Sequence, residues 1–401
     1  MSCSDCISTQ SSLDFLERLR QPSGKNLLPL AGSFEITLKC NVRCKHCYIL
    51  YPGATSEEMS TDEVKRVLDI LAENGVMLLL ITGGEPLSRP DFKEIWRYAK
   101  QKGFILSLYT NATLIDEAIA DFLAKWPPRR VEITIYGHTE ATYEKVTGVK
   151  GSFSRFRRGV SLLRERGLRI ALKTMVLKTN VHEFFEMKSW AEDQGSNFRF
   201  DSMINPRING DRDVLKERLD PEELGRFEAT LDGGPDAFAS YYSIIQKTPV
   251  SDKLFTCGAG IKTFHIDPRG RLHPCMLWRK SPYDLRNAPL TEGWREHVSR
   301  LRELKGPENG CNACSNRSLC GRCPAASFLE VNDPRKSVSY HCKVGEARRK
   351  HLLGSVPAIQ VGLRSGTKNP KEIALGSDGR SRYNDSQESS LQGEYIEKAV
   401  H

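Results

Sequence analysis

The sequence predicts an α/β fold, a partial (β/α)6 barrel followed by a small cysteine-rich domain. Three observations predict it. Short β-rich runs alternate with amphipathic helical stretches between residues 33 and 204, which is typical of βα units around a parallel sheet. Six such units are too few to close an eight-stranded barrel, so we expect an open one. Beyond them the cysteines crowd together, from Cys257 to Cys342.

Predicted strands and helices follow one another along the first half of the chain. The predicted strands cover 33–40, 76–85, 104–112, 131–137, 170–177 and 198–204. The predicted helices cover 60–75, 89–103, 116–126, 152–167 and 181–195. Ser60 or Thr61 can cap the first helix. Cys40 is expected at the end of the first strand, where the loops of a parallel barrel place its active site. The sheet pattern is expected to stop near residue 205.

The 401 residues are predicted to form four parts. Residues 1–33 are a leader with a short helix, 34–235 the barrel, 236–362 the cysteine-rich domain and 363–401 a polar, disordered tail. Cys3 and Cys6 form a C-x2-C pair in the leader, and because this spacing is common we expect them to be unliganded.

Composition and charge argue against a nucleic-acid-binding protein and against a membrane protein. The net charge is +9, from 59 Lys and Arg against 50 Asp and Glu; a solvated surface explains it more simply than an acidic peptide or a phosphorylated partner. No stripe of basic and aromatic residues indicates nucleic-acid binding. The N-terminus has no apolar signal segment, and the longest apolar run, 76–81, is too short to span a bilayer. We expect a cytoplasmic protein, in which 12 cysteines indicate metal or redox chemistry.

Three cysteines stand close together at Cys40, Cys44 and Cys47, spaced C-x3-C-x2-C. Three thiolates cannot fill a tetrahedral zinc site, nor can they supply every iron of a cubane cluster. One corner is left for an outside ligand, which is typical of a catalytic site. The alternatives are a zinc site and free thiols.

The triplet and the segment "TGGEP" at 82–86 resemble the radical S-adenosylmethionine (radical SAM) superfamily. The resemblance implies that Cys40, Cys44 and Cys47 hold a 4Fe-4S cluster whose free iron binds S-adenosylmethionine. One electron would cleave the sulfonium bond, and the resulting 5′-deoxyadenosyl radical would remove hydrogen from a substrate.

The same resemblance implies cofactor-binding roles for six further residues. Gly83 and Gly84 would let the backbone approach closely, and Glu85 would receive the methionine ammonium group. His46 would contact adenine through its backbone. Asn111 and Thr134 would contact the ribose or carboxylate, although Ala112 and Tyr136 depart from the commoner pattern beside them.

The later cysteines are similar to the SPASM extension, an auxiliary cluster domain found behind radical SAM barrels. Their pattern is C-x12-G-x4-C, then C-x2-C-x5-C-x2-C, then Cys342; the family usually ends the middle block C-x3-C. The resemblance implies two auxiliary 4Fe-4S clusters, hence three in all. One would be held by Cys311, Cys314, Cys320 and Cys342. The other would be held by Cys257, Cys275 and Cys323, with one position open or filled by another ligand.

The resemblance implies an oxidoreductase or peptide-modifying enzyme, most readily one that matures a ribosomally synthesised peptide (RiPP). The alternative is tailoring of a cofactor precursor such as a haem-type tetrapyrrole or a quinone precursor. A zinc-stabilised interaction protein is the alternative from another class. Met276 stands where anaerobic sulfatase maturases carry an aspartate, which speaks against that activity.

Expected partners are the peptide, a flavodoxin or ferredoxin as electron donor, and a separate leader-recognition protein. Asp201 and Arg207 are candidate catalytic residues that could grip a peptide.

Overall fold

The computed structural model describes residues 29–49, 58–246, 251–307 and 310–354. The predicted leader helix, the predicted tail, Cys3 and Cys6 lie outside these residues.

Six parallel strands alternate with helices, which confirms the predicted α/β fold. The strands are β1 (Ala31–Glu35), β2 (Leu78–Thr82), β3 (Ile105–Thr110), β4 (Arg130–Thr134), β5 (Ile170–Met175) and β6 (Asn197–Asp201). Each pairs in parallel with the next in chain order. Such pairing requires crossover connections, and helices supply them here.

The helices between these strands cover one face of the sheet. They are α1 (Thr61–Glu73), α2 (Phe92–Gln101), α3 (Glu117–Lys125), α4 (Glu140–Thr147), α5 (Ser152–Glu165) and α6 (Phe184–Asp193). Ser60 caps α1 through a capping box with Glu63. Alternate strand residues such as Leu106, Leu108 and Leu172 join the buried cluster that the helices complete. The intervening strand residues face the other side.

The sheet does not end near residue 205, so that prediction is wrong. Three further strands, β7 (Thr263–Ile266), β8 (Arg271–His273) and β9 (Tyr283–Asp284), continue it beyond β1. β7 pairs with β1 in parallel, and β8 and β9 follow antiparallel. Strands of the predicted barrel and of the predicted cysteine-rich domain therefore share one sheet. The division of the chain into four parts stays a prediction.

The remaining helices pack behind β6 and around the later cysteines. They are α7 (Pro221–Ala229), α8 (Gly234–Gln246), α9 (Pro324–Val331) and α10 (Ser339–Arg348), with a helical stretch of three segments at Leu290–Glu292, Gly293–Val298 and Ser299–Glu303. Arg348 of α10 joins α7 through a 2.6 Å ion pair with Glu228. In the described ranges, no helix is both long and apolar enough to cross a membrane.

Candidate active site

The chain between β1 and Cys40 lies against the two glycines that follow β2. β1 ends at Glu35, so the predicted strand 33–40 is too long. After it, Gly84 N donates to Thr37 O (2.8 Å) and Glu85 N donates to Lys39 O (2.7 Å). A Cβ atom at Gly83 would lie 2.5 Å from Thr37 O, and one at Gly84 only 2.3 Å from Lys39 O. Only glycine allows this approach, which fixes the backbone that leads into the cysteine loop.

The three thiols of the cysteine loop converge. Burial raises the pKa of Cys44, and the neighbouring thiolates of Cys47 and Cys40 raise it further. Burial also raises the pKa of Cys47 to about 12, again with a contribution from Cys40. Desolvated thiols that repel one another when ionised favour a cationic metal centre, because metal binding removes their protons. The residues present therefore fit an iron–sulfur cluster.

A helix absent from the sequence prediction anchors this loop. Arg43 N donates to Thr147 O (2.7 Å) and Lys45 N to Val146 O (3.1 Å), both at the end of α4. The cysteine loop is thus hydrogen-bonded to the end of α4, and the chain that leads into it is hydrogen-bonded to the glycine segment, Gly83 and Gly84, with Glu85.

Glu85 is fully buried between the ends of β2 and β3. Its carboxylate accepts hydrogen bonds from Thr110 Oγ1 (2.8 Å), Asn111 N (2.7 Å) and Leu87 N (3.1 Å). Burial raises its pKa to about 7 against these three donors, which lower it. The predicted ammonium contact of Glu85 stays a prediction, and it would be a fourth hydrogen bond to a carboxylate that already joins two strands.

Asn111 lies beside the cysteine loop. Its Nδ2 is 3.7 Å from Cys40 Sγ and 3.0 Å from Asn41 Oδ1. Its Oδ1 accepts from Thr113 N (2.9 Å), so both ends of the amide are fixed. The structure thus places Asn111 against a predicted cluster ligand; its contact with the cofactor stays a prediction.

His46 and Thr134 lie near the end of β4. Burial lowers the pKa of His46 to about 4, so the ring is neutral at pH 7. Its centroid is 5.4 Å from that of Tyr136. Thr134 is the last residue of β4 and is in register with Lys173 of β5. Their roles toward the cofactor stay predictions.

Tyr136 is a site residue that the sequence reasoning missed. Burial raises the pKa of Tyr136, and the neighbouring thiolate of Cys44 raises it further. The sequence offered one signal, since Tyr136 departs from the pattern expected after this strand, but nothing in it showed where the ring would point.

The seven later cysteines fall into two groups in space. In one, the pKa of Cys275 is raised by burial and by the thiolates of Cys323 and Cys257. In the other, burial and the thiolates of Cys342, Cys314 and Cys311 raise the pKa of Cys320. These are the same two sets that the resemblance implies, and their role as ligands stays a prediction. Within the described residues, no three His, Cys, Asp or Glu side chains are arranged to hold a single metal ion.

The structure does not bring Asp201 and Arg207 together. Asp201 Oδ1 accepts from Met203 N (2.8 Å) at the end of β6. Arg207 forms an ion pair with Asp211. The next residue after Arg207 donates its N–H to the carbonyl of Tyr48 (2.9 Å), so this loop lies against the cysteine loop. A catalytic role for either residue stays a prediction.

Charged side chains occupy the face of the sheet opposite the helices. On β4, Glu132 pairs with Arg130 (2.5 Å), with Arg199 of β6 and with Lys173 of β5 (3.8 Å). Burial lowers the pKa of Lys173 to about 7. On β1, the fully buried Glu35 accepts a hydrogen bond from Arg279 (2.9 Å).

Comparison with known proteins agrees with this geometry. The radical SAM superfamily model matches residues 34–191. The chain is 28% identical, over 75% of its length and 89% of the relative's, to an AdoMet-dependent heme synthase of Nitratidesulfovibrio vulgaris. It is also 28% identical to the subtilosin biosynthesis protein AlbA of Bacillus subtilis, over 73% of this chain and 68% of that protein.

A solved structure shows the same fold. SuiB of Streptococcus suis, bound to the precursor peptide SuiA, superposes with a TM-score of 0.64 at 16% identity, covering 85% of this chain and 84% of SuiB. The likeness to SuiB agrees with the observed fold. The family match shows an enzyme rather than a zinc-stabilised interaction protein. Residues 34–191 are a radical SAM domain, and this chain is a radical SAM enzyme with a cysteine-rich C-terminal region.

Proposed function

We propose that this radical SAM enzyme modifies a ribosomally synthesised peptide. Cys40, Cys44 and Cys47 would hold the 4Fe-4S cluster that binds S-adenosylmethionine. When bound, the cluster and S-adenosylmethionine together would supply a radical that removes a hydrogen atom from the substrate. The chain's own residues orient the cofactor, exclude water and position the peptide.

The observation that carries the peptide proposal is the open edge of β6. β6 ends the sheet, and in the described ranges no strand pairs with its outer side. Asp201 O accepts a hydrogen bond from the β5 side, so the backbone N–H and C=O of Phe200, which alternate with it, point to the open side. Phe200 is 40% exposed. An extended peptide can add to such an edge through main-chain hydrogen bonds.

The C-terminal end of the open edge lies on the same side of the sheet as the cysteine loop. β6 runs parallel to β1, so its C-terminal end lies on the side of the sheet from which the cysteine loop emerges. The loop after β6 reaches that cysteine loop through the Ile208–Tyr48 hydrogen bond. A peptide added along β6 would therefore be directed at the site. The relationship to a bacteriocin biosynthesis protein supports the same substrate class.

The test is turnover of peptide. Full-length enzyme, reconstituted anaerobically with iron and sulfide, is incubated with reductant, S-adenosylmethionine and the short peptides encoded beside its gene. We expect one peptide to change mass while 5′-deoxyadenosine accumulates. Phe200→Pro removes the open N–H, and we expect it to weaken peptide binding about three- to tenfold. Phe200→Val keeps the N–H and is the matched control. Equal binding by both variants would contradict addition to this edge.

A tetrapyrrole precursor is the second candidate, and one observation favours it. Arg130, Lys173 and Arg199 share the single carboxylate of Glu132 on the inner face of the sheet. Such an excess of cations suits a substrate rich in carboxylates. The heme synthase relationship points the same way. In the same assay, turnover of a propionate-bearing iron porphyrin, with no change in any peptide, would establish this function instead.

The later cysteines complete the proposal. Cys311, Cys314, Cys320 and Cys342 would hold one auxiliary cluster, and Cys257, Cys275 and Cys323 the other. The second set lacks a fourth thiol among the described cysteines, because the other seven belong to the remaining two groups. That position could accept a substrate thiolate or a side chain. A flavodoxin or ferredoxin would supply electrons, and a separate protein would present the peptide's leader.

A further inference from the structure

We propose that a cavity at the opposite end of the sheet from the cysteine loop binds a small phosphate-bearing anion, such as pyrophosphate or a nucleotide. The cavity has a volume of about 450 Å³ and is lined by four arginines, Arg129, Arg130, Arg164 and Arg169. Its volume is in the range of pockets that hold small molecules. The inference goes beyond the proposed function, because no residue of the cysteine loop or of the glycine segment lines this cavity.

The cavity lies where β4, β5 and β6 begin. Arg130 is the first residue of β4, Ile170 the first of β5 and Asn197 the first of β6, and all three line the cavity. The cysteine loop follows the C-terminal end of β1, and these strands are parallel to β1. A ligand in the cavity is therefore separated from the cysteine loop by the length of the strands.

Backbone hydrogen bonds bring three of the arginines together. The N–H of Arg129 donates to a carbonyl of β3 (2.7 Å), and the carbonyl of Arg169 accepts from Val131 N of β4 (2.9 Å). Val131 is in register with Ile170, so Arg130 and Arg169, one residue earlier in each segment, are neighbours across two adjacent strands. Like charges at such neighbouring positions repel one another, and an anion between them would remove this cost.

The positive charge of the cavity is only partly neutralised by the protein. In the described part of the chain, no Asp or Glu lines the cavity. Arg130 forms an ion pair with Glu132 (2.5 Å), and Arg164 lies in the last turn of α5, where the helix dipole favours a cation. Arg129 and Arg169 are exposed and form no ion pair with any described residue. Neither a helix end nor a carboxylate therefore accounts for these two arginines.

The donors of the cavity suit phosphate oxygens. Each guanidinium presents parallel N–H groups that match the oxygens of a phosphate, and several arginines around one cavity favour a ligand with more than one negative charge. Arg164 donates to the side chain of Gln194, so two walls of the cavity are joined. Asn197 adds a further amide to the lining. A cleft lined by charge of one sign also concentrates its counter-ion, which here is an anion.

The experiment is calorimetric titration of full-length reconstituted enzyme with inorganic pyrophosphate, without reductant or S-adenosylmethionine. We expect saturable binding at one site per chain. Arg129→Gln and Arg169→Gln should each weaken it about tenfold, because each removes a charged hydrogen-bond donor. Arg158→Gln removes the same charge from α5 outside the cavity, and as the matched control it should bind like the wild type. Iron content before and after the titration checks that pyrophosphate has removed no iron.

Further arms identify the ligand and locate it. ATP in place of pyrophosphate distinguishes a nucleotide from an inorganic ligand, and tighter binding of either supports the site. In the wild type, pyrophosphate should slow hydrogen–deuterium exchange in segments 164–171 and 194–197, a readout that needs no variant.

Several outcomes would overturn the inference. The wild type would do so by failing to bind pyrophosphate or ATP at up to about 1 mM, or by showing unchanged exchange in both segments. Equal affinity in the wild type, Arg129→Gln and Arg169→Gln would place the anion elsewhere. Citrate bound as tightly as pyrophosphate would contradict a phosphate ligand, and binding of an acidic peptide alone would assign the cavity to a protein partner instead. None of these results depends on cleavage of S-adenosylmethionine.

Discussion

Arg279 donates a hydrogen bond of 2.9 Å to Glu35, and this contact joins the two halves of the enzyme. Glu35 is the last residue of β1, while Arg279 follows Cys275 by four positions in the cysteine-rich region. Glu35 is fully buried, and the Arg279 side chain is 12% exposed. A buried pair of this kind is costly to break, because removal of one partner leaves the other charge without compensation.

Arg279→Met should therefore lower the free energy of unfolding by about 3–5 kcal/mol. Glu35→Gln combined with Arg279→Met removes both charges and should recover most of this loss. Denaturant unfolding of the full chain before reconstitution measures both effects. A double variant as unstable as the single one would show that the pair does not act as a unit.

Gly84→Ala should disrupt the cysteine loop. Its Cβ would lie 2.3 Å from Lys39 O, so either the glycine segment or the chain before Cys40 must move. We expect a loss of about four iron atoms per chain after reconstitution. Gly75 has no atom within 4 Å of its added Cβ, and Gly75→Asn, which tolerates the left-handed backbone there, is the control. Full iron content in Gly84→Ala would mean that the contact is not needed.

Because of Lys173, the free energy of unfolding should rise with pH. Burial lowers its pKa in the folded protein to about 7, whereas an unfolded lysine titrates near about 10.4. Between these values the unfolded chain binds more protons, so folding becomes more favourable as pH rises from about 7 to 10. Because the side chain is 24% exposed, we expect only about 1–2 kcal/mol. Denaturant unfolding at pH 7 and pH 9 measures this gain, which Lys173→Met should abolish. The same gain in the variant would assign it to other groups.

Substitutions in the different groups of cysteines should differ in their effect on iron content. Cys320→Ser should remove one auxiliary cluster, about four iron atoms, and leave the cluster that responds to S-adenosylmethionine in place. Cys3→Ser should change nothing, because that cysteine is predicted to be unliganded. Iron analysis together with paramagnetic resonance distinguishes these results. Loss of iron in Cys3→Ser would place the leader among the ligands.

The parts of the fold that could be predicted carry strong local signals. Runs such as 104–112 and 170–177 alternate with helices that have caps or terminal glycines, and β3 and β5 form there. β7 to β9 span only four, three and two residues, which is too short for a readable period. Their pairing with β1 depends on long-range packing, for example of Phe264 over Gly32, where an added Cβ would lie 2.2 Å from the ring.

The residues of the site also separate into those that the sequence could predict and those that it could not. The sequence could predict the glycine segment and the three cysteines, Cys40, Cys44 and Cys47, because their chemistry depends on spacing along the chain. Tyr136 and Arg279 could not be predicted as site residues, because each contacts a residue far away in sequence, His46 and Glu35 respectively. An isolated tyrosine or arginine in a sequence indicates nothing about where its side chain points.

The most direct test is the cleavage of S-adenosylmethionine by anaerobically reconstituted, reduced enzyme. The account predicts that 5′-deoxyadenosine forms, and that Cys44→Ser abolishes it while retaining the fold by circular dichroism. If the wild type formed none, or if Cys44→Ser formed as much as the wild type, the three thiols would not be the site of the chemistry.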